Sequence, residues 1–192
     1  MRPAPPALPL SLALLLPLAA CAGSPPPVTA GAPAFDPIAF FEGRTRGSGE
    51  LNIILNQPRS LTVEGTGRVR RDGTLVLRQR VEEEGRPPRT RRWEIRRTGP
   101  GAYAGTLTDA TGPVRAEASG NRLRIRYPSG AGQVEQWLAL SPDGRTARNR
   151  LTVKRLGVVV ARVDETIRKY GPRKDGRPSA AAADTAAERN TP

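Results

Sequence analysis

The chain has no histidine. That absence removes imidazole general bases, serine–histidine–aspartate triads and histidine-ligated zinc or haem. It has one cysteine, Cys21, so no disulfide can form within the chain. Aromatic residues are 4% of the sequence, and a core must be built mainly from aliphatic side chains. Lysine is scarce: only Lys154, Lys169 and Lys174 carry it, so the formal net charge of +13 is almost wholly arginine. No apolar run reaches the roughly 20 residues that a membrane-crossing helix needs.

What is present begins with an export signal. Residues 1–20 carry one charge, Arg2, then an apolar stretch from Leu8 to Leu18 broken by Pro9, Ser11 and Pro17. This is the pattern of a secretory signal peptide. Leu18, Ala19, Ala20 and Cys21 resemble the bacterial lipobox. The resemblance implies cleavage before Cys21, a diacylglycerol on its thiol and acylation of the new amine. An ordinary signal peptide followed by a free thiol is the alternative, and lone thiols are unusual in exported proteins. Each buried acyl CH₂ is worth roughly 0.8 kcal/mol, so two or more chains anchor stably. Ala22 in the next position implies release to the outer membrane. The expected setting is therefore the bacterial cell envelope, facing the periplasm. With Cys21 acylated, no thiol remains for nucleophilic or metal chemistry.

Composition divides the remainder. Residues 21–34 are rich in proline, alanine and glycine and read as a flexible tether. Residues 35–170 form the folded domain. Residues 171–192 hold no apolar residue larger than alanine and read as a disordered tail. An arginine-rich surface could meet nucleic acid, but an envelope address argues against it. A coding bias or attraction to anionic lipid head groups remains; the latter is worth about 1 kcal/mol per well-placed basic residue.

Within the domain, turn signals recur every eight to twelve residues, and apolar residues alternate between them. Leu51, Ile53 and Leu55 alternate, as do Leu75 and Leu77, and Trp93 and Ile95. Leu123, Ile125 and Tyr127 interleave with Arg122, Arg124 and Arg126. Asp72-Gly73 reads as a hairpin turn. A Leu156-Gly157 break precedes a last strand from Val158 to about Ile167. Phe35–Phe41 reads as a short helical lead-in. The pattern predicts an all-β fold of about eight to ten strands, an up-and-down antiparallel barrel, with a two-sheet sandwich as the alternative. Arginines on one face of several strands oppose a lipid-facing outer wall. A barrel of this size can hold one small ligand, and Gly65, Gly67 and Gly105 on its inner face leave room for a cavity.

The segments "FDPIAFFEGRTRGSGEL" (35–51), "WEIRRTGPGAYAGTLTDATGPVRAEASGNRLRIRY" (93–127) and "RNRLTVKRLGVVVARVDETIRK" (148–169) resemble the bacterial lipoproteins called domain of unknown function 3833. That resemblance implies a calycin-like barrel and an envelope lipoprotein, and it brings no catalytic residues. "FFEGRTRGSGE" is also similar, more faintly, to the first strand of lipocalin-like and nitrobindin-like barrels. Nitrobindins hold haem through a histidine, so that role does not carry over.

Candidate ligand contacts follow from residue chemistry. Trp93, Trp137, Tyr103 and Tyr127 either pack the core or line a pocket, and each has a polar handle. Asn149 and Arg150 are strand neighbours, so one faces inward and the other outward. An inward arginine needs a carboxylate partner, with Asp109 or Glu135 available, or an anionic ligand. Arg44 could act similarly near the barrel mouth, and two such arginines would grip a carboxylate or phosphate bidentately. Phe40 and Phe41 either plug the barrel base or face a ligand. The charge run at 82–92 reads as a solvated hairpin loop, with partner binding as the alternative. Two main functional readings result, beside a third, an enzyme working with Asp, Glu, Tyr or Lys alone, to which no constellation points. One is an anchored barrel that binds or carries a small amphipathic or anionic ligand, such as a fatty acid or lipid. The other is a filled barrel serving as an interaction module. No catalytic constellation, metal site or cofactor is expected.

Overall fold

The computed structural model describes residues 30–171. Cys21, the signal segment and all of the predicted tail except Gly171 lie outside them. A short helix, α1 (Pro37–Phe41), precedes ten strands: β1 (Gly43–Ile53), β2 (Arg59–Val69), β3 (Leu75–Glu83), β4 (Arg89–Gly99), β5 (Ala102–Leu107), β6 (Val114–Ser119), β7 (Arg122–Ser129), β8 (Gly132–Leu140), β9 (Thr146–Arg155) and β10 (Val158–Tyr170). Each strand pairs antiparallel with its sequence neighbour, and β1 pairs with β10 to close the barrel. The fold is the expected up-and-down barrel, at the upper end of the expected strand count. The final strand runs three residues beyond Ile167 because its partner β1 continues alongside it to Arg44.

Alternation places the core. In β3, Leu75, Leu77, Gln79 and Val81 are buried while Arg78, Arg80 and Glu82 face water. In β7 the buried set is Leu123, Ile125 and Tyr127. Arginine on the outer wall is neutralised locally, as where Arg70 pairs with Glu94 at 3.1 Å. Such exposed pairs contribute little stability each. Arg59, in phase with the inward Leu61 and Val63, instead pairs with Glu83 at 2.9 Å on the inner side of the open end.

The two ends of the barrel differ. At one end α1 lies across the opening. Asp36 caps it, its carboxylate accepting from the Ile38 amide at 3.0 Å, and Pro37 starts it. Phe35 stacks on Phe40 at 5.2 Å, and Phe40 meets Phe41 edge-on at 4.9 Å. All three rings are buried, so they plug the base. The plug needs Gly67: a Cβ there would sit 1.9 Å from the Phe41 carbonyl oxygen. The opposite end carries the connections at 54–58, 84–88, 108–113, 130–131 and 156–157 and has no such plug.

Candidate functional site

The interior is layered along the barrel axis. Beneath the open end, Leu61, Val63 and Val81 form an apolar cluster with Val163, separate from the main core. Facing them across the barrel are Leu151, Val153, Val134 and Tyr127. Together they wall a cavity of about 310 Å³ whose rim includes Arg89, Asp109, Ser129 and Gly130. That volume is at the lower end of ordinary small-molecule sites, roughly 300–1,000 Å³. Below it the plugged half is packed, and the space left there is about 40 Å³.

Between the two halves lies a polar layer. Arg91, Gln136 and Glu165 line both the cavity and the smaller space beneath it. The Arg91 Nε donates to Gln79 Oε1 at 2.8 Å, and the Trp93 indole N–H donates to the same oxygen at 2.8 Å. The Arg91 guanidinium also sits 5.7 Å from the centre of the Trp93 ring. On the opposite wall the Asn149 amide donates to Glu165 Oε2 at 2.8 Å. Gln136 Oε1 and Asn149 Oδ1 are buried acceptors with no donor. Glu165 depends on Gly47, where a Cβ would fall 1.6 Å from its Oε1.

Electrostatics in this layer are those of an underpaired site. Arg91 has no ion-pair partner within 4 Å among the described residues. Burial lowers its pKa, opposed by Tyr127 and Glu165, yet guanidinium remains protonated in proteins. Burial raises the Glu165 carboxyl, and the Asn149 hydrogen bond and Arg91 pull it back. Burial likewise raises the Tyr127 hydroxyl, against the pull of Arg91. The half-buried cation would be completed by an anion, and the two acceptors without donors by a hydroxyl or a protonated acid.

The candidates from the sequence divide between the two faces. Trp93, Tyr127 and Asn149 point inward and meet in this layer, with Trp93 edge-on to Tyr127 at 5.7 Å. Tyr103 is inward too, but lies at the plugged end, where Arg97 stacks over its ring at 4.9 Å and pairs with Asp36 at 2.9 Å. Arg150, Trp137 and Arg44 lie on the outer face, which corrects their expected place in a pocket. Arg150 pairs with Asp164 at 2.6 Å because Asn149 takes the inward position. Trp137 alternates with the buried Gln136 and Leu138 and lies outside, against Arg122 and Arg124. Arg44 precedes the buried Thr45 and is exposed. Glu135 pairs outside with Arg124, and Asp109 pairs with Arg89 at 2.5 Å, so neither answers the inward arginine. A wider depression of about 730 Å³ is lined by Arg148, Arg150 and Asp164 of the outer wall. Its charges already satisfy one another in part.

The residue that sequence reasoning missed is Arg91. Its signal was available: it stands two positions before Trp93, in phase with Trp93 and Ile95, but inside a charge run read as loop. Among the described residues no group of three histidine, cysteine, aspartate or glutamate side chains could hold a metal.

Comparison with known proteins agrees with this geometry. The S-type phycobiliprotein lyase CPES from Guillardia theta has a similar fold, with a TM-score of 0.54 at 5% identity, covering 71% of this chain and 92% of that one. At that identity the likeness concerns the calycin-like barrel alone. No curated protein matches the sequence. The model of one family, described as "Protein of unknown function (DUF3833)", matches residues 15–169, and the chain belongs to that family.

Proposed function

We propose that the barrel binds a single-chain amphiphile with an acidic head, such as a fatty acid, and holds or carries it in the cell envelope. The head group enters first and meets Arg91 in the polar layer, within reach of Gln136. The tail lies along Leu61, Val63, Val81, Leu151, Val153 and Val163 toward the open end. The observation that carries this reading is Arg91: a cation on the floor of an apolar-walled cavity with no carboxylate paired to it. Burial raises the Glu165 pKa, which lessens its repulsion of a bound carboxylate. In the same reading Cys21 is acylated and tethers the barrel to the outer membrane; the family match begins at residue 15 and so takes in the Leu18–Cys21 segment.

A second reading, a filled barrel acting as an interaction module, draws on the plugged half, where only about 40 Å³ is left. The two separate in one experiment. The full chain is purified from the envelope of a bacterial host, and bound material is identified by native mass spectrometry and solvent extraction. It is also titrated with a fluorescent fatty-acid analogue. A stoichiometric acidic amphiphile, lost in Arg91→Gln and kept in Arg150→Gln, supports the carrier. A clean apo mass with no binding of the analogue favours the filled module.

A further inference from the structure

Four large apolar side chains stand out in water near the open end. Leu55 is 100% exposed and Leu156 98%, with Ile54 and Val158 beside them at 55% and 57%. They occupy two neighbouring tips, the 54–58 connection and the 156–157 turn, which are tied by the Ile54 amide donating to the Val160 carbonyl at 3.0 Å. Both leucines are left-handed, Leu55 at φ 63° and Leu156 at φ 51°, and they are the only non-glycine residues so placed among the described ones. In the 156–157 turn Gly157 also has positive φ, at 81°. A two-residue hairpin of that kind favours asparagine or aspartate where Leu156 stands. At each tip, then, the chain holds a bulky apolar group fully in water in a conformation that disfavours it. Neither packing nor backbone geometry accounts for that choice.

The 156–157 tip is flanked by charge of one sign. Lys154, Arg155 and Arg162 flank the Leu156 tip and have no ion-pair partner among the described residues. Of the acids toward the same end, Glu82 is paired with Arg80, Glu83 with Arg59 and Asp109 with Arg89, while Glu84 and Glu50 keep their charge and bond to Ser60 and Asn52. Apolar tips beside a basic collar match the two layers of an anionic bilayer surface, acyl boundary below and phosphate above.

We propose that the open end of the barrel seats on an anionic phospholipid bilayer, with Leu55 and Leu156 entering the lipid and Lys154, Arg155 and Arg162 on the phosphates. The cavity mouth then faces the membrane. This docking goes beyond the cavity reading and does not depend on it, since it needs no bound ligand. It is compatible with a tether at Cys21. The chain enters at the plugged end, where the Phe35 amide donates to the Gly120 carbonyl. Residues 21–34 can span at most about 50 Å, at roughly 3.5 Å each. A tilted strand of β1's length rises about 28 Å, so the same membrane can hold the anchor and receive the mouth.

The test uses the full chain with Cys21→Ser, which leaves it without cysteine. A single cysteine is then placed at Leu55, or at Asp72 in the turn of the plugged end, and labelled with an environment-sensitive fluorophore. Vesicles of phosphatidylglycerol mixed with phosphatidylcholine are added, with pure phosphatidylcholine for comparison. The expected result is a blue shift at Leu55→Cys with anionic vesicles, reduced by salt, and none at Asp72→Cys. Replacing Leu156 by Asn in the labelled chain should weaken the response at least tenfold in lipid concentration. No shift at position 55, or a shift only at position 72, overturns the proposal. A shift that grows with protein concentration without vesicles assigns the tips to a second copy of the chain and overturns it as well. The readout involves no cavity ligand, so its failure leaves the carrier reading standing, and the reverse holds.

Discussion

Arg91 and Gln79 are joined inside the barrel by a 2.8 Å hydrogen bond from Nε to Oε1. The bond fixes the guanidinium without neutralising it. Arg91→Met should therefore abolish binding of an acidic amphiphile while leaving the fold intact. Thermal stability should change by no more than about 1 kcal/mol, because a half-buried cation without an ion-pair partner gives way to an apolar chain. Fatty-acid titration and a melting curve on the same sample check both halves. A loss of stability alongside binding would mean that Arg91 holds the fold rather than a ligand.

Glu165 predicts how stability depends on pH. Burial raises its folded pKa above 4.5, so the native state holds a proton that the unfolded state has lost. Its contribution is full below pH 4.5 and declines as pH rises through the folded value. Denaturant midpoints of the native chain should fall across that window relative to Glu165→Gln, which should show a flatter profile. A variant that tracks the parent at every pH would remove Glu165 from the account.

Gly67→Ala should loosen the plug. The added methyl meets the Phe41 carbonyl at 1.9 Å, backbone that cannot step aside cheaply. A destabilisation of about 3 kcal/mol is expected for such overpacking, with increased dye binding at the exposed aromatic base. Urea denaturation provides the number.

Leu156→Asn should stabilise the chain by about 1 kcal/mol, since asparagine tolerates the left-handed region that leucine resists. The same change should weaken attachment to anionic vesicles. Stability and membrane affinity moving in opposite directions is the signature sought, read by calorimetry and vesicle sedimentation.

Arg150→Ala and Trp137→Ala should leave amphiphile binding unchanged, since both side chains lie on the outer wall. Trp93→Phe should weaken it, because the indole N–H shares the Gln79 oxygen that orients Arg91. Parallel titrations of the three variants decide this.

The barrel was legible because its signals are local. Each turn between alternating runs, from Asp72-Gly73 to Leu156-Gly157, marks a real reversal, and alternation names the buried set in β3 and β7. The site was harder to read, because which face is inside depends on phase and not on residue type. Val134, Gln136 and Leu138 already exclude Trp137 from the interior, yet a tryptophan draws attention as a core residue. Arg91 was hidden by the opposite bias, a charged residue in a charged run that the pairing of β3 with β4 turns inward. The pairing of Glu165 with Asn149 was hidden by a register shift between Val159 and Ala161, without which the Leu156-Gly157 turn would set Asn149 opposite Asp164.

The seam between β1 and β10 joins the first described strand to the last, with Arg44 opposite Tyr170 and Ile53 opposite Ala161. Closure therefore waits for the 13 residues of β10, Val158–Tyr170. Until they arrive, β1 and β9 are both free edges with unsatisfied backbone groups, and the cavity has no fourth wall where Val163 and Glu165 belong. Such a barrel closes slowly because its deciding contact joins Arg44 to Tyr170, one end of the folded domain to the other. Premature termination before Val158 should yield a sheet that aggregates rather than a smaller barrel, and the capacity to hold a ligand is acquired all at once, by the last strand to be made.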